Sequence, residues 1–207
     1  MHTETIRIPV SGGIEIVADM AGPRDAPMVI LGHGGGQTRH SWSKAELQLA
    51  AAGYCAVNYD LRGHGDSGWS PDGRYSNEMR SDDLAQIAKL ARGPVALVGA
   101  SMGGVTALIA CTHGLDAAAL VLVDIVPKLS IEGADKVRGF MGSAPDGFAS
   151  LEEAADAISA YYPDRPRPKD LSGLNKNLRL GEDGRYRWHW DPRMLQDMRG
   201  DPHHLLT

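Results

Sequence analysis

The stretch Val95-Ala96-Leu97-Val98-Gly99-Ala100-Ser101-Met102-Gly103-Gly104 decides how this chain is read. Four apolar residues suited to a buried strand run into G-x-S-x-G, and residues 102–113, ended by Gly114, suit a helix. A strand that turns sharply into a helix forces the residue at the turn to positive φ, which is costly for anything but glycine. The chain folds back against the positions two before and two after that residue, so both must be small. Gly99 and Gly103 meet this need, and Gly104 lets the helix pack closely on the sheet. The Ser101 hydroxyl is then presented at a helix N-terminus, whose dipole favours developing negative charge.

Upstream, Gly32-His33-Gly34-Gly35-Gly36-Gln37 directly follows the apolar run 28–31. Successive glycines let backbone N–H groups converge on an anion. Acyl transfer needs two such donors aimed at a tetrahedral oxyanion. The residue after the nucleophile, Met102, supplies one, and Gly35 the other, with Gly36 as the rival. His33 reads as a residue that holds this loop rather than as a catalytic base.

Between these motifs lies Asp60-Leu61-Arg62-Gly63-His64-Gly65-Asp66-Ser67-Gly68. Its glycines match G-x-G-x-x-G, but that fingerprint must open a helix straight after a strand. Trp69-Ser70-Pro71-Asp72-Gly73 follows instead, which argues against a dinucleotide site.

The remaining pattern supports a sheet covered by helices. Residues 5–10 and 14–20 read as a hairpin across Ser11-Gly12-Gly13. Strands follow at 28–31, 54–59, 95–98 and 117–125. They alternate with helices at 43–52, with Ser43 as N-cap, and at 76–92 and 102–113. This order predicts an α/β fold, with a mostly parallel sheet and helices on both faces. After Pro127 charge becomes denser and apolar residues recur at helical spacing, which predicts short helices at 133–141, 151–162 and 169–180.

Composition narrows the function classes. In 207 residues, 21 Lys+Arg against 26 Asp+Glu give a net charge of -5 and no basic stripe, so nucleic acid is not an expected partner. No apolar run reaches the ~20 residues of a membrane span, so no membrane partner is expected either. The start lacks a basic and then apolar signal segment. Cys55 and Cys111 read as buried thiols, consistent with the cytoplasm.

The order H-G-G-G-Q, D-L-R-G-H-G-D-S, V-G-A-S-M-G-G and L-V-L-V-D-I-V-P resembles the α/β-hydrolase superfamily. The likeness is to its bacterial serine esterases, carbon–carbon-bond hydrolases and cofactor-free haloperoxidase-like enzymes. It covers about residues 5–127, and four motifs in the right order make it specific. The resemblance implies a hydrolase core over 1–127, with its first six strands, and a helical cap over 128–207. It also implies Ser101 as nucleophile, no metal or organic cofactor, and a small-molecule ester-like or activated carbonyl substrate. Serine at 101 argues against the epoxide hydrolase and haloalkane dehalogenase branches, which use aspartate there.

In the family the triad runs serine, acid, histidine. No Val/Ile-rich run follows residue 125, so the core is expected to lack its last strands, the histidine and the usual acid. Such a chain would be catalytically incomplete, serving only as a binding module and prone to self-association through an exposed sheet edge. The other rival reading is cofactor-free perhydrolysis or halogenation at the same serine. Asp124, ending the strand at 117–123, is either the acid or a residue at the entrance to the cap. His189, His203 and His204 follow it in order, without the strand-then-loop context a base requires. With Asp191 they also make only a weak metal pattern, lacking i, i+4 spacing. The cap aromatics Phe140, Phe148, Tyr161, Tyr162, Trp188 and Trp190 would shape an apolar acyl pocket. Trp188, together with Gly36, is the candidate substrate contact, against a reading of Trp188 and Trp190 as cap core.

Overall fold

The computed structural model describes residues 2–125 and 131–197. The central strands are the most apolar ones. β3 (Met28–Gly32) and β4 (Cys55–Tyr59) are buried at every residue, as strands covered on both faces must be. Around them run β1 (Thr3–Val10), β2 (Ile14–Ala21), β5 (Val95–Ala100) and β6 (Ala119–Val123), in the order β1-β2-β4-β3-β5-β6. β3 to β6 are mutually parallel, while β1–β2 and β2–β4 are antiparallel.

Alternation in β4 shows which face each helix covers. Cys55, Val57 and Tyr59 share a core with Leu84 and Ile87 of α2 (Asn77–Ala88) and with Ala107 and Ala110 of α3 (Met102–Thr112). Asn58 points the other way, where it donates to Glu46 of α1 (Ser43–Ala51) at 3.2 Å. The expected α/β sheet with helices on both faces is therefore present. β6 differs from the centre. It is an edge strand, and Val121 and Val123 remain 48% and 38% exposed.

Several local expectations need correction. A 3-10 turn over Arg39–Trp42 precedes α1, so Trp42 occupies the N-cap position and Ser43 begins the helix. α2 stops at Ala88 rather than 92, while Ser76 caps it by accepting the Met79 N–H. Cys55 is buried, but Cys111 is only half-buried.

The larger correction lies after residue 130, where the structure is not all helical. α4 (Ile131–Met141) and α5 (Leu151–Tyr161) form, the latter capped by Ser150 on the Glu153 N–H at 3.1 Å. Residues 169–180 do not form a helix. They contain a 3-10 turn at Ser172–Lys176, then β7 (Leu178–Leu180), which pairs antiparallel with β8 (Tyr186–Trp188). Gly173, Asn175 and Asn177 are poor helix formers. The hairpin instead buries Leu178 with Phe148 and Ala154, a packing that helical periodicity does not reveal.

Candidate active site

β5 ends at Ala100, α3 begins at Met102, and the single residue between them carries the turn. Ser101 has φ 45 and ψ -113, in a region costly for a side chain. The turn is held by close backbone packing. A Cβ on Gly99 would collide with the Gly103 carbonyl, and one on Gly103 with the Gly32 carbonyl at the end of β3. Outside the turn, the Ser101 N–H donates to Val123 O of β6 at 3.0 Å, and the Gly103 N–H to His33 O at 3.0 Å. The Ser101 side chain is exposed, and its Oγ makes no hydrogen bond among the described residues.

The glycine loop after β3 lies against this turn. A Cβ on Gly34 would stand 3.6 Å from Ser101 Cβ, and one on Gly35 3.1 Å from Met102 Cε. The N–H groups of these glycines differ in what they meet. The Gly34 N–H donates to Gln37 Oε1 at 3.0 Å, and the Gly36 N–H to His64 Nε2 at 3.3 Å. The Gly35 N–H has no acceptor among the described residues. Neither has the Met102 N–H, which lies in the first turn of α3, where no intrahelical acceptor exists. Gly36, the rival donor from sequence, is thus already engaged. It has φ +76, and a Cβ there would press on the Trp190 ring at 3.1 Å.

The two histidines beside this loop are spoken for. His33 is fully buried, donates from Nδ1 to Gly34 O at 2.8 Å, and accepts the Leu61 N–H on Nε2 at 3.0 Å. Burial pushes its pKa down, against the pull of Asp60. His64 accepts on Nε2 and places Nδ1 3.3 Å from Arg62 O. His113 closes the far end of α3. His189 is half-buried, and burial first, then Arg179, lowers its pKa to about 4. His203 and His204 lie outside the described residues.

Asp124 follows β6 directly, and β6 pairs with β5 so that Val123 faces Ala100. It too has positive φ, 53, but its side chain is exposed and makes no hydrogen bond among the described residues. Tyr161 at the end of α5 lies within its field. Burial, then Tyr162 and Asp124, raise the Tyr161 phenol.

The segment after residue 130 reaches the same crest. Met141 Sδ would be 3.8 Å from a Cβ on Gly35, and Trp190 covers Gly36. Trp188 stacks on Trp190 at 5.0 Å and meets Phe140 and Phe148 at 5.5 and 5.3 Å. It is therefore packed among aromatic rings of its own segment. Phe140 stacks on Tyr161 at 4.4 Å. Asp191 is held by Tyr75 and Arg193, which occupies that carboxylate.

Sequence reading singled out neither His64 nor Met141 for this site. His64 carried a signal, an imidazole inside a glycine-rich turn. Met141 carried none, because only tertiary packing brings it to Gly35.

A model of the alpha/beta hydrolase family matches residues 29–205. The chain belongs to the alpha/beta hydrolase family. Among its relatives in that family, the esterase Rv0045c of Mycobacterium tuberculosis is 34% identical over 175 residues, covering 80% of this chain and 57% of that protein. The probable protein phosphatase methylesterase 1 of Caenorhabditis elegans is 32% identical over 180 residues, 81% of this chain and 48% of that one. A crystal structure of an alpha/beta hydrolase from Novosphingobium aromaticivorans superposes with a TM-score of 0.79 at 25% identity, over 93% of this chain and 70% of that one. The chain spans about half the length of the curated relatives it matches. Among the described residues, no helix is long and apolar enough to cross a membrane.

Proposed function

We propose that the protein is a serine hydrolase acting on carboxylic esters or similarly activated acyl compounds, with Ser101 as nucleophile. The observation that carries this reading is the exposed Ser101 hydroxyl on a positive-φ turn, beside two N–H groups without acceptors among the described residues. Two relatives named as esterases support the ester class.

In this reading Ser101 Oγ bonds to the acyl carbon while a general base takes its proton. The carbonyl oxygen becomes an oxyanion, to which Gly35 and Met102 each donate an N–H. Collapse of the tetrahedral species expels the alcohol with that proton, and water then releases the acid by the same route. His33 and His64 are not the base, because both rings are held by backbone partners. Met102 and Met141, which pack against Gly35 beside Ser101, favour an apolar acyl group there. Asp124, exposed and without a hydrogen-bond partner among the described residues, stands at the entrance to the site rather than serving as the acid.

The test is hydrolysis of p-nitrophenyl esters of increasing acyl length by the protein and its Ser101→Ala variant. Turnover that disappears in the variant is expected, and turnover that survives it removes Ser101 from the chemistry.

A further inference from the structure

Three consecutive peptide planes of the glycine loop are pinned by side chains, two from the loop itself and one, His64, from the facing loop. The plane before Gly34 is held by its N–H on Gln37 Oε1, and the plane between Gly34 and Gly35 by His33 Nδ1 on Gly34 O. The plane between Gly35 and Gly36 is held by the Gly36 N–H on His64 Nε2. A trans peptide points its N–H opposite to its carbonyl. His33 thereby turns the Gly35 N–H away from itself, and His64 fixes the torsion on the other side of Gly35. Three glycines in a row have no side chains to limit their torsions, so these bonds decide the loop's conformation.

The two rings form a reciprocal staple. His33, on the glycine loop, reaches Leu61 on the facing loop, and His64, on the facing loop, reaches Gly36. Their centroids are 5.0 Å apart in an edge-to-face arrangement. The segment after residue 130 clamps the facing loop in turn. Its His189 O accepts from Gly65 N, its Asp191 N donates to Gly63 O, both at 2.8 Å, and Trp190 pairs with His64.

We propose that His64 is a positioning residue for the proposed hydrolysis: by accepting the Gly36 N–H on Nε2, it holds the Gly35 N–H at the place where the oxyanion forms. The inference rests on the serine-hydrolase reading and extends it to a residue that touches no substrate. It requires the Nδ1–H tautomer, which the nearby Arg62 carbonyl favours. It also requires a neutral ring, since a protonated Nε2 would face the Gly36 N–H donor to donor. Complete burial pushes the His64 pKa well down, and the fields of His33, Arg80 and His189 push the same way against the Arg62 carbonyl.

The test compares His64→Phe, which keeps a ring but no acceptor, with His64→Gln, which restores one. Losing an oxyanion donor costs ~10²–10³ in kcat, so a loosened donor in His64→Phe is expected to cost about tenfold or more, with KM changed less than about twofold. His64→Gln is expected to recover most of that loss. Unchanged kcat in a folded His64→Phe overturns the proposal, and so does an equal loss in both variants, which marks packing alone. Nitrogen-15 NMR of the His64 ring in the unsubstituted protein reads the bond without activity and without a variant. The Nδ1–H tautomer is expected at neutral pH, and an Nε2-protonated ring overturns the proposal. Turnover surviving Ser101→Ala would instead overturn the hydrolase reading, leaving the ring tautomer to decide the His64 bond separately.

Discussion

Ser101 and Asp124 sit on neighbouring strand ends and share one backbone feature. They are the non-glycine residues with positive φ among those described, at 45 and 53. Their surroundings differ. The Ser101 turn is locked by Gly99 and Gly103, which meet backbone atoms where any side chain would stand. Asp124 has Leu122 and Val126 at the positions where Ser101 has its two glycines, and aspartate tolerates a left-handed conformation as a single residue. Strain that packing over-determines marks a place where geometry matters to function, while tolerated strain marks only a turn.

The sharpest way to break this contrast is activity. Removing a catalytic serine can cost ~10⁶ in kcat, so Ser101→Ala is expected to abolish ester turnover. Asp124→Asn, which keeps size and backbone preference, is expected to change kcat by less than about threefold, because a bystander carboxylate carries none of the ~10⁴ that a triad acid does. A collapse of kcat in Asp124→Asn, measured on the same p-nitrophenyl ester, would make the two turns functional equals.

Stability gives the next contrast. Overpacking usually costs ~1–3 kcal/mol, and since Gly99 faces unyielding backbone, Gly99→Ala is expected to cost about 3 kcal/mol or more by urea unfolding. A cost below about 1 kcal/mol would mean the turn relaxes without penalty.

Acid should loosen the serine side of the comparison first. His33, His64 and His189 all have folded pKa values below the usual 6.5. Their neutral forms contribute stability that is complete above 6.5 and is lost as pH falls toward the folded values, because the unfolded chain takes up protons that the folded one refuses. Urea midpoints measured from pH 7.5 down to 5 are expected to fall, and part of that fall should vanish in His64→Gln. A flat profile would contradict the neutral staple.

The smallest effects concern φ itself. Ser101→Gly exchanges ~1–3 kcal/mol of strain for ~0.5–1 kcal/mol of chain entropy, so a net gain of about 1 kcal/mol is expected. Asp124→Gly is expected to change stability by less than about 0.5 kcal/mol, since aspartate there is little strained. Equal gains in the two variants would erase the distinction between the turns.

What was legible in sequence follows from how local each signal is. The strand–G-x-S-x-G–helix reading needed only neighbouring residues, and Ser101 stands at that turn. The six strands announced themselves by apolar runs broken by glycine and proline. Residues 169–180 misled, because Leu171, Leu174 and Leu178 mimic a helical stripe while Leu178 is in fact buried in a hairpin against Phe148. The sequence reading names Gly35 with Gly36 as rival, but the bond that engages the Gly36 N–H comes from His64, 28 residues away, and nothing near the loop announces it. Long-range hydrogen bonds leave no periodicity in a sequence.

The central claim, that the Ser101 turn presents an activated nucleophile, is tested most directly by a fluorophosphonate probe followed by peptide mass mapping. The account predicts a single adduct on Ser101, lost in Ser101→Ala and retained in Asp124→Asn. An adduct on another residue with Ser101 unmodified, or labelling that persists in Ser101→Ala, would contradict it.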